Sequence, residues 1–413
     1  MPADVPVGTP FAGCPDSTAR DIDLKTHRSM ILPFRLAATA GAARAGVLET
    51  AHGPVHTPAF MPVGTQATVK GMTASSVRAI GAEMVLANAY HLMLRPGAER
   101  IAALGGLHRF MDWPGPILTD SGGFQVMSLG ALRKISEEGV VFRSHIDGAR
   151  IHLTPERAVR VQHLLDSTIT MVLDECTEFP ATLPAARRSM ELSMRWAARS
   201  KAAYEPRPGY GLFGIVQGST YPELRLQSAA SLTALGFDGY AIGGLAVGEG
   251  QASMLATLDA TLPALPSDRP RYLMGVGTPQ DLLEAVARGV DLFDCVIPTR
   301  AGRTGRAFTS AGILNLRNAR FAADPAPLDP ACDCPTCGRH ARAYLHHLFK
   351  AGEMLGPMML TWHNLHYYQA LMRSFRAAIL SGDLAASEAS LRAAWARGDP
   401  GPHRKDDRGE ERT

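Results

Sequence analysis

The segment LTPERAVRVQHLLDSTITMVLDE, residues 153–175, has the pattern of a helix followed by a buried strand. Thr154 is a good N-cap residue, and Pro155 suits the first helical position because its fixed φ is already helical. The run ITMVLDE (169–175) begins with five residues of which four are apolar, and it does not alternate. Strands of that kind are typical of parallel sheets covered on both faces. The segment therefore predicts one helix-to-strand unit of an α/β fold.

Comparable apolar runs recur along the chain, with helical patterns between them. They are TPAFMPVG (57–64), EMVLANAY (83–90), PILTDS (116–121), ITMVLDE (169–175), LFGIVQG (212–218), GYAIGG (239–244), RYLMGVG (271–277) and DLFDCV (291–296). The helix GTPQDLLEAVARGV repeats the Thr-Pro start at Thr278 and Pro279, with Gly289 after its end. Eight such units predict a (β/α)8 TIM barrel, with a doubly wound open sheet as the alternative. No G-x-G-x-x-G follows an early strand, which disfavours dinucleotide binding.

Two segments outside this alternation have the pattern of hairpins. Residues 139–154 alternate apolar and polar side chains around Asp147-Gly148, a dipeptide typical of tight turns. Residues 35–58 resemble a second hairpin, which would close the bottom of the barrel. The polar extremities, residues 1–30 and 386–413, are predicted to be disordered. The barrel with its C-terminal subdomain is assigned to residues 31–385.

The composition is typical of a globular protein, and the use of cysteine is typical of a protein in a reducing compartment. The 413 residues are 46% hydrophobic and 20% charged, and the formal charge of +3 permits an anionic partner without requiring one. We find no apolar run long enough for a transmembrane helix and no signal-peptide core near the N-terminus. Cys14, Cys176 and Cys295 are far apart and are interpreted as free thiols. These features predict a cytoplasmic protein.

The stretch ACDCPTCGRH, residues 331–340, holds three of the six cysteines. A disulfide framework is disfavoured by the odd number and the long chain, and a C-x-x-C redox pair is disfavoured by the Asp, Pro and Gly around it. C-x-C-x2-C instead suits a metal, and a closed Cys3His site would be structural zinc. The candidates for the fourth ligand are His340, His346, His347, His363 and His366. Spacing alone does not choose among them.

Polar side chains follow several predicted strands, where barrel active sites are built. Asp120, Asp174 and Asp294 come from three strands, and Gln217 from a fourth. A single aspartate there often caps a helix, but three of them with a glutamine favour convergence on a ligand. Paired carboxylates suit displacement at an anomeric carbon, and Asp and Gln suit a purine edge.

Other residues favour a nucleic-acid substrate. Phe124 could stack on a base and Met274 could cover its other face, although both are equally consistent with core packing. The loop PTRAGRTGR carries Arg300, Arg303 and Arg306 directly after the eighth strand. Arginines at this position favour RNA over the alternative of a solvated basic loop.

From about residue 33 to 380 the chain resembles bacterial tRNA-guanine transglycosylase. The resemblance rests on NAYHLMLRPG, TDSGGFQVMSL, LDECT, IVQG, IGGLAVGE, DLFDCVIPTRAGR, and CDCPTC with HNL. It implies a TIM barrel with a zinc subdomain at about residues 300–370, and a homodimer. It also implies exchange of guanine at the wobble position of G-U-N tRNAs for preQ1, through a covalent aspartyl-ribosyl intermediate.

The resemblance further implies a role for individual residues. Asp294 would be the nucleophile and Asp120 the general acid/base. The base site would consist of Ser121, Gly122, Gly123, Phe124, Asp174, Cys176, Gln217, Gly244, Leu245, Val247 and Met274, of which Cys176 and Val247 resemble a pocket for preQ1 rather than queuine. RNA would contact Gly275, Val276, Gly277, Thr278, Pro279, Gln280, Asp281, Thr299, Arg300, Ala301, Gly302 and Arg303. Zinc would be held by Cys332, Cys334, Cys337 and His363. Ala89 departs from the threonine common in the family, which could alter the pocket wall.

Two functions from other classes remain as alternatives. A non-catalytic tRNA-binding subunit should lack the nucleophile or the base-binding residues, yet all three aspartates are present. A metal-dependent barrel hydrolase would need His and carboxylate ligands at the strand ends, and only His91 accompanies the aspartates.

Overall fold

Eight parallel strands form a barrel at the centre of the chain. A computed structural model describes residues 32–127 and 133–399. In chain order, the described strands are β1 (Phe34–Ala40), β2 (Ala43–Thr50), β3 (Gly53–Thr57), β4 (Ala59–Met61), β5 (Val85–Asn88), β6 (Ile117–Asp120), β7 (Arg133–Ser136), β8 (Gly139–Arg143), β9 (Arg150–Leu153), β10 (Ile169–Met171), β11 (Gly211–Val216), β12 (Gly239–Ile242), β13 (Arg271–Leu273), β14 (Leu292–Asp294), β15 (Arg306–Thr309) and β16 (Gly312–Asn315). The barrel strands follow the order β4-β14-β13-β12-β11-β10-β6-β5. A parallel bridge between Val63 and Leu86 joins the two ends. The predicted TIM barrel is thus confirmed, and the open sheet is excluded because both end strands are joined.

Helices connect the strands and cover the barrel. They are α1 (Ala74–Ala79), α2 (Ala89–Leu94), α3 (Ala98–Ala103), α4 (Gly106–Phe110), α5 (Gly123–Met127), α6 (Pro155–Leu164), α7 (Leu183–Ala203), α8 (Pro222–Leu235), α9 (Gln251–Thr261), α10 (Pro279–Ala287), α11 (Ile297–Arg303), α12 (Pro335–Arg339), α13 (Arg342–Ala351), α14 (Leu355–Ser381) and α15 (Leu384–Arg397). No helix in the described ranges is both long and apolar enough to cross a membrane.

The two predicted Thr-Pro helix starts are confirmed as N-caps. The Thr154 side chain accepts a hydrogen bond from the backbone N–H of Arg157, which satisfies one free donor of α6. Thr278 and Asp281 form a reciprocal capping box at the start of α10. Gly289 has φ of +92° just after the end of α10, a conformation that favours glycine.

The predicted N-terminal hairpin is a three-stranded antiparallel sheet, β1-β2-β3. Arg44 of β2 is buried and forms a bidentate ion pair with Asp291, with N–O distances of 2.6 and 3.1 Å. Asp291 directly precedes β14, so this sheet lies at the N-terminal end of the barrel, as expected for an element that closes the bottom. The sequence pattern missed the third strand because β1 has few buried side chains.

The insertion between β6 and β10 also has one strand more than predicted. β8 and β9 form the expected antiparallel pair, with Asp147 and Gly148 in the turn, and β7 adds a third strand. The indole of Trp196 on α7 donates a hydrogen bond to the carbonyl of Glu137, at 2.8 Å. This contact holds the insertion against the outer helices.

The basic segment after β14 is the helix α11 rather than the predicted loop. Gly302 lets α11 approach α14 closely, because a Cβ there would lie 2.6 Å from the backbone N of Thr361. Asn364 of α14 accepts a hydrogen bond from the N–H of Phe308 and donates to the carbonyls of Pro298 and Arg306. The small side chain at Gly302 therefore permits the helix–helix contact that holds this segment.

The predicted start of the disordered tail at residue 386 is wrong, because the helix α15 extends to Arg397. Its sequence, LAASEASLRAAWAR, is rich in good helix formers. The indole of Trp395 donates to the Tyr367 hydroxyl at 3.0 Å, and Arg392 pairs with Glu284 at 2.6 Å. These two contacts fix α15 to the body of the protein. The predictions for residues 1–30 and 400–413, and for Cys14, lie outside the described residues.

Candidate active site

Three buried aspartates lie at the C-terminal end of the barrel. Asp120 and Asp294 are the last residues of β6 and β14, and Asp174 follows β10 by three residues. Each is less than a tenth exposed. Burial is the main cause of the raised pKa of Asp120, and the charge of Asp294 raises it further, so these two carboxyls are near enough to interact. The three strand-end carboxylates thus lie at the same end of the barrel, and their convergence on a ligand stays a prediction.

Asp294 has one carboxylate oxygen fixed by hydrogen bonds and the other without a donor in the described part of the chain. Its Oδ1 accepts hydrogen bonds from the Tyr272 hydroxyl at 2.6 Å and the Gly275 backbone N–H at 2.7 Å. Among the described residues, none donates to Oδ2. Burial raises the pKa of Asp294, and the two donors oppose that effect by stabilising the ionised form. This carboxylate is oriented by one oxygen and can present the other to an electrophile.

Asp120 is surrounded by three hydrogen-bond donors. Oδ2 accepts from Asn88 Nδ2 at 2.5 Å and from Gln125 Nε2 at 2.7 Å, and Oδ1 accepts from the Ala89 backbone N–H at 2.9 Å. Burial raises the pKa of Asp120 to about 6 in spite of these donors. A carboxyl with that pKa can both carry and accept a proton near neutral pH, as a general acid/base must. Ala89 donates to Asp120 through its backbone N–H, and the threonine common at this position in the family would provide the same donor.

Asp174 and Gln217 form a recognition pair beside the backbone of Gly244. Gln217 Nε2 donates to Asp174 Oδ2 at 2.7 Å, and Ser121 Oγ lies 3.4 Å from Asp174 Oδ1. Burial raises the pKa of Asp174 to about 6. Gln217 Oε1 is buried with no protein donor in the described chain. Gln217 Oε1 is therefore an unsatisfied acceptor of the kind that can bind a donor on the edge of a base.

Two glycines let the backbone approach this pair. A Cβ on Gly123 would lie 2.5 Å from the carbonyl oxygen of Asp174 and 2.7 Å from its Oδ1. A Cβ on Gly244, where φ is +66°, would lie 2.6 Å from Gln217 Oε1. Any larger residue would displace the polar atoms from their positions.

The other residues expected at the base site differ in accessibility. Phe124 is 54% exposed, so its ring is available for stacking rather than part of the core. Met274 and Val247 are half-buried, whereas Leu245 and Cys176 are buried. Gly122 has φ of +87° and packs against Tyr90. Burial raises the pKa of the Cys176 thiol to about 12, so it is a neutral wall residue. Cys176 and Cys295 are free thiols, as expected.

The residues expected to bind RNA divide into an exposed and a buried set. Arg300 and Arg303 are exposed on α11, and Arg306 is exposed at the start of β15. Gly275 is exposed, and Thr278, Gln280 and Asp281 are half-buried. The buried members are Val276, Gly277, Pro279, Thr299, Ala301 and Gly302. Direct side-chain contact with RNA is therefore open to the arginines and closed to the buried set, because those residues pack inside the protein.

A group of four potential metal ligands lies in the C-terminal subdomain. Cys332, Cys334, Cys337 and His363 bring their ligand atoms within 4.8 Å of one another. The three sulfurs lie 3.6, 3.6 and 3.2 Å from His363 Nδ1. Tetrahedral zinc with Zn–S of about 2.3 Å and Zn–N of about 2.05 Å places S and N about 3.6 Å apart. The residues therefore fit a zinc ion.

The environment of His363 supports its assignment as the fourth ligand. Its Nε2 lies 2.8 Å from the carbonyl oxygen of Phe308, so that nitrogen carries the proton and Nδ1 faces the sulfurs. His346 instead bonds to the carbonyl of Leu316, and His366 pairs with Asp333. Tertiary structure thus selects one histidine from the five that the sequence left open.

Sequence reasoning did not assign roles to several residues that position the site. They are Tyr272, Asn88, Gln125 and Glu249. Glu249 accepts hydrogen bonds from the backbone N–H groups of Ala246 and Val247, at 2.5 and 2.9 Å, and so shapes the loop after β12. Asn88 was visible as a polar strand end, and Glu249 as an acid in a glycine-rich loop. Tyr272 carries no such signal, because an aromatic residue in a strand is ordinarily core.

Comparison with known proteins yields one family. A family model described as queuine tRNA-ribosyltransferase matches residues 39–397. A queuine tRNA-ribosyltransferase of Granulibacter bethesdensis is 69% identical over 372 residues, 90% of this chain and 98% of the relative. One of Gluconacetobacter diazotrophicus is 68% identical over 87% of this chain and 92% of its own length. One of Cereibacter sphaeroides is 60% identical over 89% and 98%.

Proposed function

Because this chain belongs to the queuine tRNA-ribosyltransferase family, we propose that it exchanges guanine in tRNA for a 7-deazaguanine base. The enzyme is a glycosyltransferase of the pentosyl type that serves queuosine synthesis. The observation that carries the mechanism is the arrangement of Asp294, with one oxygen fixed by two donors and the other available. The exchanged guanine is that of the wobble position, in tRNAs with G-U-N anticodons.

The exchange takes place in two displacements at the ribose anomeric carbon. In the first, Asp294 Oδ2 forms a bond to C1′ while the bond from C1′ to guanine breaks and its electron pair leaves with the base. Asp120 supplies the proton that neutralises the departing guanine. In the second, the incoming base gives its ring N–H proton to Asp120 and forms the new bond to C1′, and the electrons of the ester bond return to Asp294. Each step is a nucleophilic displacement with no net redox change.

The incoming base is preQ1, which binds between Phe124 and Met274. The Asp174–Gln217 pair and the backbone at Gly244 recognise its edge, with Ser121, Gly122, Gly123 and Leu245 completing the site. Neutral Cys176 forms part of the wall, and Val247 limits the space for a bulkier base.

The arginines of α11 bind the RNA next to the exchanged nucleotide. Arg300 and Arg303 are exposed on a helix that directly follows Asp294. Guanidinium groups suit bidentate contacts with phosphate. Contacts from residues 275–281 involve Gly275 and the half-buried Thr278, Gln280 and Asp281. The side chain of Asp281 also caps α10, so RNA reaches this segment mainly through its backbone.

Zinc held by Cys332, Cys334, Cys337 and His363 supports the fold and takes no part in catalysis. A site with four protein ligands leaves no open position for substrate, so the ion supplies only stability. His363 and Asn364 are adjacent on α14, and both bond to the backbone of Phe308. Through these contacts the metal centre fixes the segment that follows α11.

A cytoplasmic location of the protein stays a prediction.

The enzyme is a homodimer whose interface includes the start of α14. Tyr344, Met354, Leu355 and Met358 expose between 40% and 80% of their surface. A cluster of exposed apolar side chains on two adjacent helices is typical of a protein interface. Light scattering after size-exclusion chromatography measures the mass, and a monomer at micromolar concentration would contradict the assignment.

Incorporation of labelled preQ1 into unmodified tRNA with a G-U-N anticodon tests the reaction. Wild type and Asp259→Ala, a surface aspartate paired with Arg288, should incorporate label, and Asp294→Ala should not. Incorporation of label by Asp294→Ala would refute the assignment of Asp294 as the nucleophile and leave Asp120 as the candidate for that role. If wild type binds the tRNA but exchanges nothing, the chain is a non-catalytic tRNA-binding subunit instead.

A further inference from the structure

A cavity lies at the end of the barrel opposite the aspartates. It is lined by Ala59 and Phe60 at the start of β4, by residues 81–84 just before β5, and by α14, and its volume is about 310 Å³. All eight strands are parallel, so their first residues lie at one end of the barrel and their last residues at the other. Asp120 and Asp294 are the last residues of their strands and therefore lie at the opposite end from the cavity. The volume is near the lower limit for small-molecule sites. This cavity therefore does not belong to the base-exchange site.

One face of α14 provides the polar side of the cavity. Gln369, Arg373 and Arg376 are spaced by four and three residues, so their side chains lie on the same face of the helix. Gln369 Nε2 donates to the carbonyl of Phe60 at 2.9 Å, and Arg376 Nη2 donates to the carbonyl of His56 at 2.6 Å. These bonds hold the helix face in position against the barrel.

The cavity contains more hydrogen-bond donors than available acceptors. Arg376 Nε is buried and has no acceptor among the described residues. Glu83 is the carboxylate of the lining, but its Oε2 accepts from the His56 backbone N–H at 2.7 Å and its Oε1 lies 2.9 Å from His56 Nδ1. Burial lowers the pKa of Arg376, the Glu83 carboxylate opposes that effect, and repulsion by the Arg373 charge lowers the pKa further. An anion between the two arginines would relieve this repulsion.

Arg373 is free to turn toward a ligand. It is exposed, and within the described ranges its hydrogen bonding is limited to a long contact of 3.5 Å with the carbonyl of Ile80, while its charge also acts on Asp333. The guanidinium lies over Gly81, where a Cβ would come within 2.9 Å of Nη1. The lining also includes the apolar side chains of Phe60, Ala82 and Met84, which form an apolar floor.

We propose that this cavity binds a small anion, a carboxylate or a phosphate, between the guanidinium groups of Arg373 and Arg376. The apolar floor accommodates the hydrocarbon part of an organic anion, whereas inorganic phosphate fills only the polar side. Because the site is at the far end of the barrel, its ligand stabilises the folded protein by mass action and does not compete with base exchange.

Calorimetric titration of the full-length protein with inorganic phosphate and with benzoate, at constant ionic strength, tests the proposal. Wild type should bind at least one of the two saturably, and the same anion should raise the thermal midpoint. Arg373→Ala should weaken binding at least tenfold. Arg392→Ala, which removes a surface arginine of α15, should not change it. Tighter binding of benzoate would identify an organic carboxylate as the ligand class, and tighter binding of phosphate would identify a phosphate.

Two results would overturn the proposal. One is the absence of saturable binding of both anions to wild type, and the other is equal affinity of wild type and Arg373→Ala. Arg376→Lys serves as a second variant, because Arg376→Ala would also remove the bond to the His56 carbonyl. The lysine keeps the charge but lacks the buried Nε–H, and it should also bind at least tenfold more weakly. Incorporation of preQ1 should be the same in Arg373→Ala and wild type.

Discussion

Removal of the Tyr272 hydroxyl should shift the acid limb of the pH–rate profile to higher pH. The hydroxyl donates to Asp294 Oδ1 at 2.6 Å, and in Tyr272→Phe only the Gly275 N–H remains as a donor to that oxygen. Both donors stabilise the ionised form of Asp294, whose pKa burial raises. The variant therefore raises that pKa further. Because the nucleophile must be ionised, activity is lost first at low pH.

The magnitude follows from the strength of a hydrogen bond to a charged group. Such a bond contributes roughly 1.5–3 kcal/mol, and one pH unit corresponds to about 1.4 kcal/mol. The acid limb should therefore move by about 1–2 pH units. At a pH below the acid limbs of both proteins, the rate of Tyr272→Phe should be roughly 10- to 100-fold lower than that of wild type. At high pH the two rates should be similar.

The assay is preQ1 incorporation at subsaturating tRNA over a range of pH. Tyr240→Phe is the matched control, because Tyr240 is a buried tyrosine on the neighbouring strand β12 whose hydroxyl accepts from the Phe237 N–H instead. Asp120, whose pKa burial raises to about 6, also titrates within the pH range of the assay, but its hydrogen-bond donors are Asn88, Gln125 and Ala89 rather than Tyr272. A uniform loss of activity at every pH, with the limb unmoved, would refute the reasoning and leave Tyr272 with a packing role.

Three further variants test the base site and the metal centre. Gln217→Ala removes a hydrogen bond to Asp174, so the KM for preQ1 should rise roughly 10-fold or more; an unchanged KM would exclude Gln217 from base recognition. Gly123→Ala places a Cβ against Asp174 and should reduce exchange at least about 100-fold, a loss of about 2.7 kcal/mol, whereas Gly338→Ala, which meets no atom within 4 Å, should leave exchange intact. Cys337→Ser removes one ligand, so elemental analysis should find less than one zinc per chain and the free energy of unfolding should fall by roughly 3 kcal/mol or more; full zinc occupancy would contradict the ligand assignment.

Local patterns in the sequence determined the barrel and much of its site. The apolar strand runs and the Thr-Pro caps depend on residues a few positions apart, and so the eight strands and the starts of α6 and α10 could be predicted. The strand-end aspartates could be predicted for the same reason, because parallel strands bring their C-terminal ends together. The specific motifs then indicated the family.

Only the tertiary structure decided which groups act on those aspartates. Tyr272 reaches Asp294 from another strand, 22 residues away, and His363 was distinguished from four other histidines by its distance to three sulfurs. The positions of α11 and α15 are likewise set by contacts with α14, through the close approach at Gly302 and the hydrogen bond from Trp395 to Tyr367. These features arise from packing between distant segments, and periodicity along the chain carries no record of such contacts.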